Sequence, residues 1–109
     1  MKLNEVVKSL RSSQHRLHGD EATRFKKAVL KHTGGSVSLF DTNDLAQAVE
    51  VNLNKAHDPD LTAAVLKHLV KKVLTDMGYD LELVNATVRT SFKGATRWAR
   101  VVFHAKTKP

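Results

Sequence analysis

Residues 38–53 read SLFDTNDLAQAVEVNL, and the fold turns on how that stretch is taken. Its first residues complete the short alternating run SVSLF (36–40), which predicts a strand. Asp41 or Thr42 can then cap a helix, and Asp44 stands near the position that returns a carboxylate to the backbone. Leu45, Ala48, Val49 and Leu53 recur at helical spacing and give one apolar stripe. The stretch therefore reads as a strand followed by a helix. The residues after it, NKAHDPD (54–60), are rich in turn formers and predict a connection.

Outward on the C-terminal side, residues 58–78, DPDLTAAVLKHLVKKVLTDMG, carry the plainest helical signal in the chain. Asp58 is a good cap, Pro59 suits the first helical position, and Gly78 closes the segment. Leu66, Leu69, Val70, Val73 and Met77 fall on one side. Ala64, Lys67, His68, Lys71 and Thr75 fall on the opposite side, with Lys72 beside them. Two β-prone runs follow, LELVNATV (81–88) and RWARVVF (97–103), around the basic segment RTSFKGATR (89–97). Residues Tyr79 to Ala105 thus predict a hairpin with its turn at Lys93-Gly94.

Outward on the N-terminal side, Asp20 can cap a helix with Glu21 in its first turn. Ala22, Phe25, Ala28 and Val29 form its apolar side; Arg24, Lys26, Lys27 and Lys31 lie on the rest; Gly34 and Gly35 end it. Leu3, Val6, Val7 and Leu10 make a short helical stripe ahead of a polar stretch, RSSQHRLHGD (11–20). Residues 1–19 are expected to form an N-terminal helix and linker, and 20–109 the domain.

The chain's 109 residues suit one domain with one core. The absence of cysteine excludes disulfides and thiolate zinc sites. No apolar run approaches the ~20 residues of a membrane span, and the first residues lack the apolar core of a secretion signal. A cytoplasmic protein is expected, nucleoid-associated or nuclear by host. The net charge of +7 favours a polyanionic partner. Charge is also segregated. From Arg89 onward stand Arg89, Lys93, Arg97, Arg100, Lys106 and Lys108 with no acid, whereas 41–60 holds Asp41, Asp44, Glu50, Asp58 and Asp60 against Lys55 alone.

Chemistry of other kinds finds little support. The histidines are scattered, and Asp76, Asp80 and Glu82 lack the further residues of a nuclease core. There is no nucleophile elbow, no phosphate-binding glycine loop and no paired-histidine helix. No enzyme activity, catalytic residue, metal or cofactor is expected. Trp98 or Phe103 is expected in the core; Trp98 and Phe92 are the candidate stacking rings for exposed bases.

The element order, with SLFDTNDLAQAV (38–49) and TAAVLKHLVKKVLTDMGYDLE (62–82), resembles the winged helix-turn-helix superfamily over residues 20–105. The resemblance implies a small α+β domain, with helices plus a C-terminal β-hairpin wing and an N-terminal helical extension. It implies double-stranded DNA as partner, in a small regulator of transcription or a replication control protein of a mobile element or virus. The helix 59–77 would then lie in the major groove and the hairpin along the backbone or in the minor groove. The DNA-binding set is Ala64, Lys67, His68, Lys71, Lys72, Thr75, Arg89, Lys93, Arg97 and Arg100. The rival readings are RNA binding and docking of the basic face on an acidic protein. Leu3, Val6, Val7 and Leu10 offer a surface for a homodimer, because a stripe that short is unstable alone.

Overall fold

In the stretch that decides the fold, Val37–Asp41 and Gln47–Asn52 are both strands. The computed structural model describes residues 14–42, 46–91 and 94–107. The elements run β1 (Gln14–His15), α1 (Gly19–Thr33), β2 (Val37–Asp41), β3 (Gln47–Asn52), a 3-10 turn (Leu53–Lys55), α2 (Pro59–Asp76), β4 (Tyr79–Thr90) and β5 (Arg97–Thr107). Two helices lie on one face of a curled antiparallel sheet, so the class is α+β.

β5 is the hub of that sheet. β4 pairs along one edge of it, from Tyr79 opposite Thr107 to Thr90 opposite Arg97. β3 and β1 share the other edge, Gln47 opposite Phe103 and Gln14 opposite Lys106. β2 pairs with β3 and forms the far side of the sheet. Val49, Val51, Ala99, Val101, Phe103 and Ala105 alternate toward the helices and meet Phe25, Val29, Leu66, Val70, Val73 and Leu74 in one core. The rings of Phe25 and Phe103 sit 5.7 Å apart. Phe103 thus fills the core, while Trp98 is half-buried on the far face of the sheet.

The helix expected over 41–53 is not formed: Gln47–Asn52 is a strand. Asp44 and Leu45 lie outside the described residues. Both expected caps serve the hairpin instead. The Thr42 N–H and hydroxyl donate to the Ala46 carbonyl, each at 2.9 Å. Asp41 accepts from Gln47 Nε2 at 3.0 Å. The physical reason is two-sided burial. Val49 and Val51 alternate toward the helices, and Ala48 is sealed on the opposite face because β3 is interior, between β2 and β5. A strand buried on both faces reads as a near-continuous apolar run, and Ala48 beside Val49 then imitates a helical stripe.

Two consequences follow. Among the described residues no second helix precedes α2 in the manner of a helix-turn-helix pair. Nor is the C-terminal hairpin a peripheral wing, because its second strand is interior to the sheet.

The polar stretch before α1 is more than a linker. Gln14 and His15 join the sheet, and Leu17 is buried in the core. The Leu17 N–H donates to Gln47 Oε1 at 2.8 Å, and its carbonyl accepts from Gln47 Nε2 at 3.0 Å. A buried side-chain amide so satisfies both backbone polar groups of one buried residue. α1 begins after His18 rather than Asp20; Asp20 and Glu21 occupy its first turn, where negative charge suits the helix dipole. Gly34 ends α1 at φ +71°, a conformation that favours glycine. The stripe Leu3–Leu10 lies outside the described residues. Among the described residues, no helix is long and apolar enough to cross a membrane.

Candidate nucleic-acid interface

α2 starts where Asp58 caps it, the Leu61 N–H donating to Asp58 Oδ1 at 3.2 Å. Thr62, Leu66, Val70, Val73 and Leu74 make its buried stripe. Ala64, Lys67, His68, Lys71, Lys72 and Thr75 are all exposed on the other side, as their spacing requires.

α1 lies beside α2 and runs antiparallel to it. Near its start, Glu21 meets Tyr79, which follows α2. At its end, His32 and Thr33 line a cleft with Leu61, Thr62 and Val65 of α2's first half. The buried side of α1 is Phe25, Val29 and Thr33, which leaves Arg24, Lys27 and Lys31 exposed. The two helices thus form one layer bearing Arg24, Lys27, Lys31, Lys67, Lys71 and Lys72. The acids of α1 and α2 stand only at their ends, at Asp20, Glu21, Asp60 and Asp76; between them, 22–33 and 61–75 contain none.

Ion pairing separates this layer from the sheet. Arg16 pairs with Asp41 at 3.7 Å, Arg97 with Asp60 at 3.6 Å, Arg100 with Glu50 and Lys106 with Glu82. Lys27, Lys31, Lys67, Lys71 and Lys72 form no ion pair among the described residues. The positive charge left uncompensated by acids is therefore concentrated on the helices.

The expected DNA-binding set is divided by the fold. Ala64, Lys67, His68, Lys71, Lys72 and Thr75 share the helical layer. Arg100 points to the other face of the sheet, where its Nε donates to Glu50 Oε1 at 2.6 Å and its guanidinium lies 5.4 Å from the centre of the Phe40 ring. Arg89 stands opposite Trp98 on that same face, exposed. Arg97 is tied to Asp60, and its N–H donates to Asn54 Oδ1 at 3.0 Å. Lys93 lies outside the described residues. Hence Arg89 and Arg100 are turned away from the helix residues, because pleating sends alternate strand residues to opposite faces, whereas Arg97 lies on the helix side of β5 and is held at the first turn of α2 by Asp60. Arg24, Lys27 and Lys31 were missing from the expected set. The signal that could have found them is the acid-free run 22–33, which matches the acid-free run in α2.

One cluster of titratable groups stands apart. The Tyr79 hydroxyl donates to Glu21 Oε2, His15 Nε2 lies 3.1 Å from both Glu21 oxygens, and the His15 and Tyr79 rings stack at 4.9 Å. The Tyr79 bond, aided by His15 and opposed by burial, holds the Glu21 carboxyl below its ordinary value. The same bond, with burial and the Glu21 charge, pushes the Tyr79 hydroxyl up. Both shifts reinforce the ordinary charge states, the reverse of what a general acid or base requires. The cluster is a latch joining β1, α1 and β4. Among the described residues no group of three or more His, Cys, Asp or Glu is placed to hold a metal ion.

No family model, curated protein or solved structure matches this chain.

Proposed function

We propose that the protein binds double-stranded DNA by laying its helical layer along the phosphate backbone. The observation that carries this reading is the pair of acid-free helix middles, whose lysines have no ion-pair partner among the described residues, while on the sheet Arg97, Arg100 and Lys106 are paired with acids and Arg89 stands alone. Packed helices lie ~8–10 Å apart and i, i+4 residues ~6 Å apart along an axis. The six cations so form two short rows, suited to a duplex that carries one negative charge per ~1.7 Å of its axis.

The mode differs from insertion of a recognition helix. Asp58 and Asp60 place negative charge at the tip of α2, the end that would lead into a groove. The helices instead offer their sides. A rigid duplex is favoured over a single strand because the helical layer exposes no Trp, Tyr or Phe ring for stacking among the described residues. Trp98 and Phe40 are on the far face, and Tyr79 is held in the latch. Backbone contact carries no direct sequence information.

The test is fluorescence anisotropy of labelled duplex DNA of several sequences, with single-stranded DNA and duplex RNA beside it, across a salt series. Duplex DNA should bind with a steep salt dependence, and sequences should differ by less than ~10-fold, far below specific binders. No binding of duplex DNA at low salt, or preference for either other polymer, sinks the reading.

A further inference from the structure

We propose that two copies of this chain join along β4, antiparallel, about a two-fold axis at Val84 and Asn85. β4 is an edge strand: among the described residues it pairs with β5 alone. It is long and carries neither lysine nor proline; its charges, Asp80, Glu82 and Arg89, all lie on the face away from the helices. Leu83, Val84 and Val88 are 44%, 53% and 47% exposed along it. The opposite edge, β2, is much shorter, and Arg100 covers its exposed ring, Phe40.

The register follows from an irregularity. Leu83 stands opposite Phe103 and Asn85 opposite Val102, so Val84 is an extra residue and the alternation of faces inverts there. Leu81, Leu83, Ala86 and Val88 therefore point toward the helices, being opposite the buried Ala105, Phe103, Val101 and Ala99. Asp80, Glu82, Asn85, Thr87 and Arg89 point to the other face. With the axis at Val84 and Asn85, Leu81 meets Val88 of the second copy and Leu83 meets Ala86. Glu82 meets Thr87 and Asp80 meets Arg89. Each pair is matched in face and so in the direction of its backbone groups. Sliding the axis one residue back also keeps faces matched, but it sets Asp80 against Thr87 and Glu82 against Asn85. Charge complementarity selects the first register. Asp80 and Arg89 are exposed, and neither has an ion pair within the chain among the described residues.

The test is sedimentation of the full chain without DNA, at about 100 μM, a range suited to an interface built on one strand pair. The wild type should show a dimer. Arg89→Asp should raise the dimer dissociation constant about tenfold, since it turns attraction into repulsion at two symmetric places. Asp80→Arg combined with Arg89→Asp should restore it. A monomeric wild type, an unchanged constant in Arg89→Asp, or a double variant no better than the single one overturns the proposal. So does a dimer that Leu3→Asp with Leu10→Asp dissociates, which would move the contact to the N-terminal stripe. Because DNA is absent, failure here leaves the helical-layer reading standing.

Discussion

Changing Lys67 and Lys71 to glutamine removes two of the six cations Arg24, Lys27, Lys31, Lys67, Lys71 and Lys72 that the helical layer presents. If each meets one phosphate, log affinity falls against log salt with a slope of about −5.4 in the wild type and about −3.6 in the variant. Between 50 and 200 mM salt, the wild type should then weaken by about 2,000-fold and the variant by about 150-fold. At a fixed ~0.15 M salt each contact is worth about fivefold, so the variant should bind roughly 30-fold more weakly. Stability should hold within ~0.5 kcal/mol per site, since both side chains are exposed opposite the buried stripe of Leu66, Val70 and Val73. The assay is anisotropy titration of a labelled duplex at four or more salt concentrations, with circular dichroism as the fold control. Arg97→Gln with Arg100→Gln is the companion variant. Its cations are already paired with Asp60 and Glu50, so its slope should match the wild type. A slope unchanged by the lysine variant and reduced by the arginine variant would refute the reasoning, because it would place the interface on the sheet.

Three further outcomes concern what holds the layer in place. Tyr79→Phe should lower stability by about 1 kcal/mol at neutral pH, a charged-acceptor hydrogen bond discounted for partial exposure; urea midpoints measure it. The Glu21 carboxyl is depressed, so its share is present above the ordinary value of 4.5 and lost as pH falls through the folded value. The Tyr79 hydroxyl is raised, so its share is present below 10.0 and lost as pH rises through the folded value. A difference between Tyr79→Phe and wild type that persists at pH 2 would separate the latch from this linkage. Phe103→Ala should destabilise by about 3–5 kcal/mol, because the ring is sealed against Phe25; a loss under ~1 kcal/mol by urea unfolding would contradict that packing. Gln47→Met should cost about 2 kcal/mol or more, because it strands the buried N–H and carbonyl of Leu17. Hydrogen exchange at the Leu17 amide should accelerate with it, and an unchanged rate would mean that the amide is otherwise satisfied.

Local rules identified both helices, the strand expected over 36–40 and found over Val37–Asp41, and the C-terminal hairpin. Each of these carries its signal within a few neighbouring residues: Asp58-Pro59 and Gly78 around α2, Gly34 after α1, and alternation in SVSLF, 36–40. The exposed side of α2 was legible for the same reason, since 3.6-residue spacing sorts Lys67, His68 and Lys71 from Leu66 and Val70. Gln47–Asn52 was not legible. An interior strand buries both faces, and its apolar run fits two periods at once. Nor was the fate of Arg97 and Arg100 legible, because Asp60 and Glu50, which take them up, are far away in the chain.

The pentapeptide AVLKH shows where the boundary falls. It occurs at 28–32 and again at 64–68, helical both times. In α1 its valine, Val29, is buried and Leu30 is exposed; in α2 its leucine, Leu66, is buried and Val65 is exposed. The sequence by itself determined that these segments are helices, through propensity, the Asp58 cap of α2 and the Gly34 end of α1. It also determined which side each buries, through the longer stripes Ala22–Phe25–Ala28–Val29 and Leu66–Leu69–Val70–Val73. Only the tertiary structure decided that Gln47–Asn52 is a strand and which cations keep no partner. A helix closes its backbone hydrogen bonds within four residues, whereas a strand or an ion pair takes its partner from across the chain, as Val49 does from Val101 and Arg100 from Glu50.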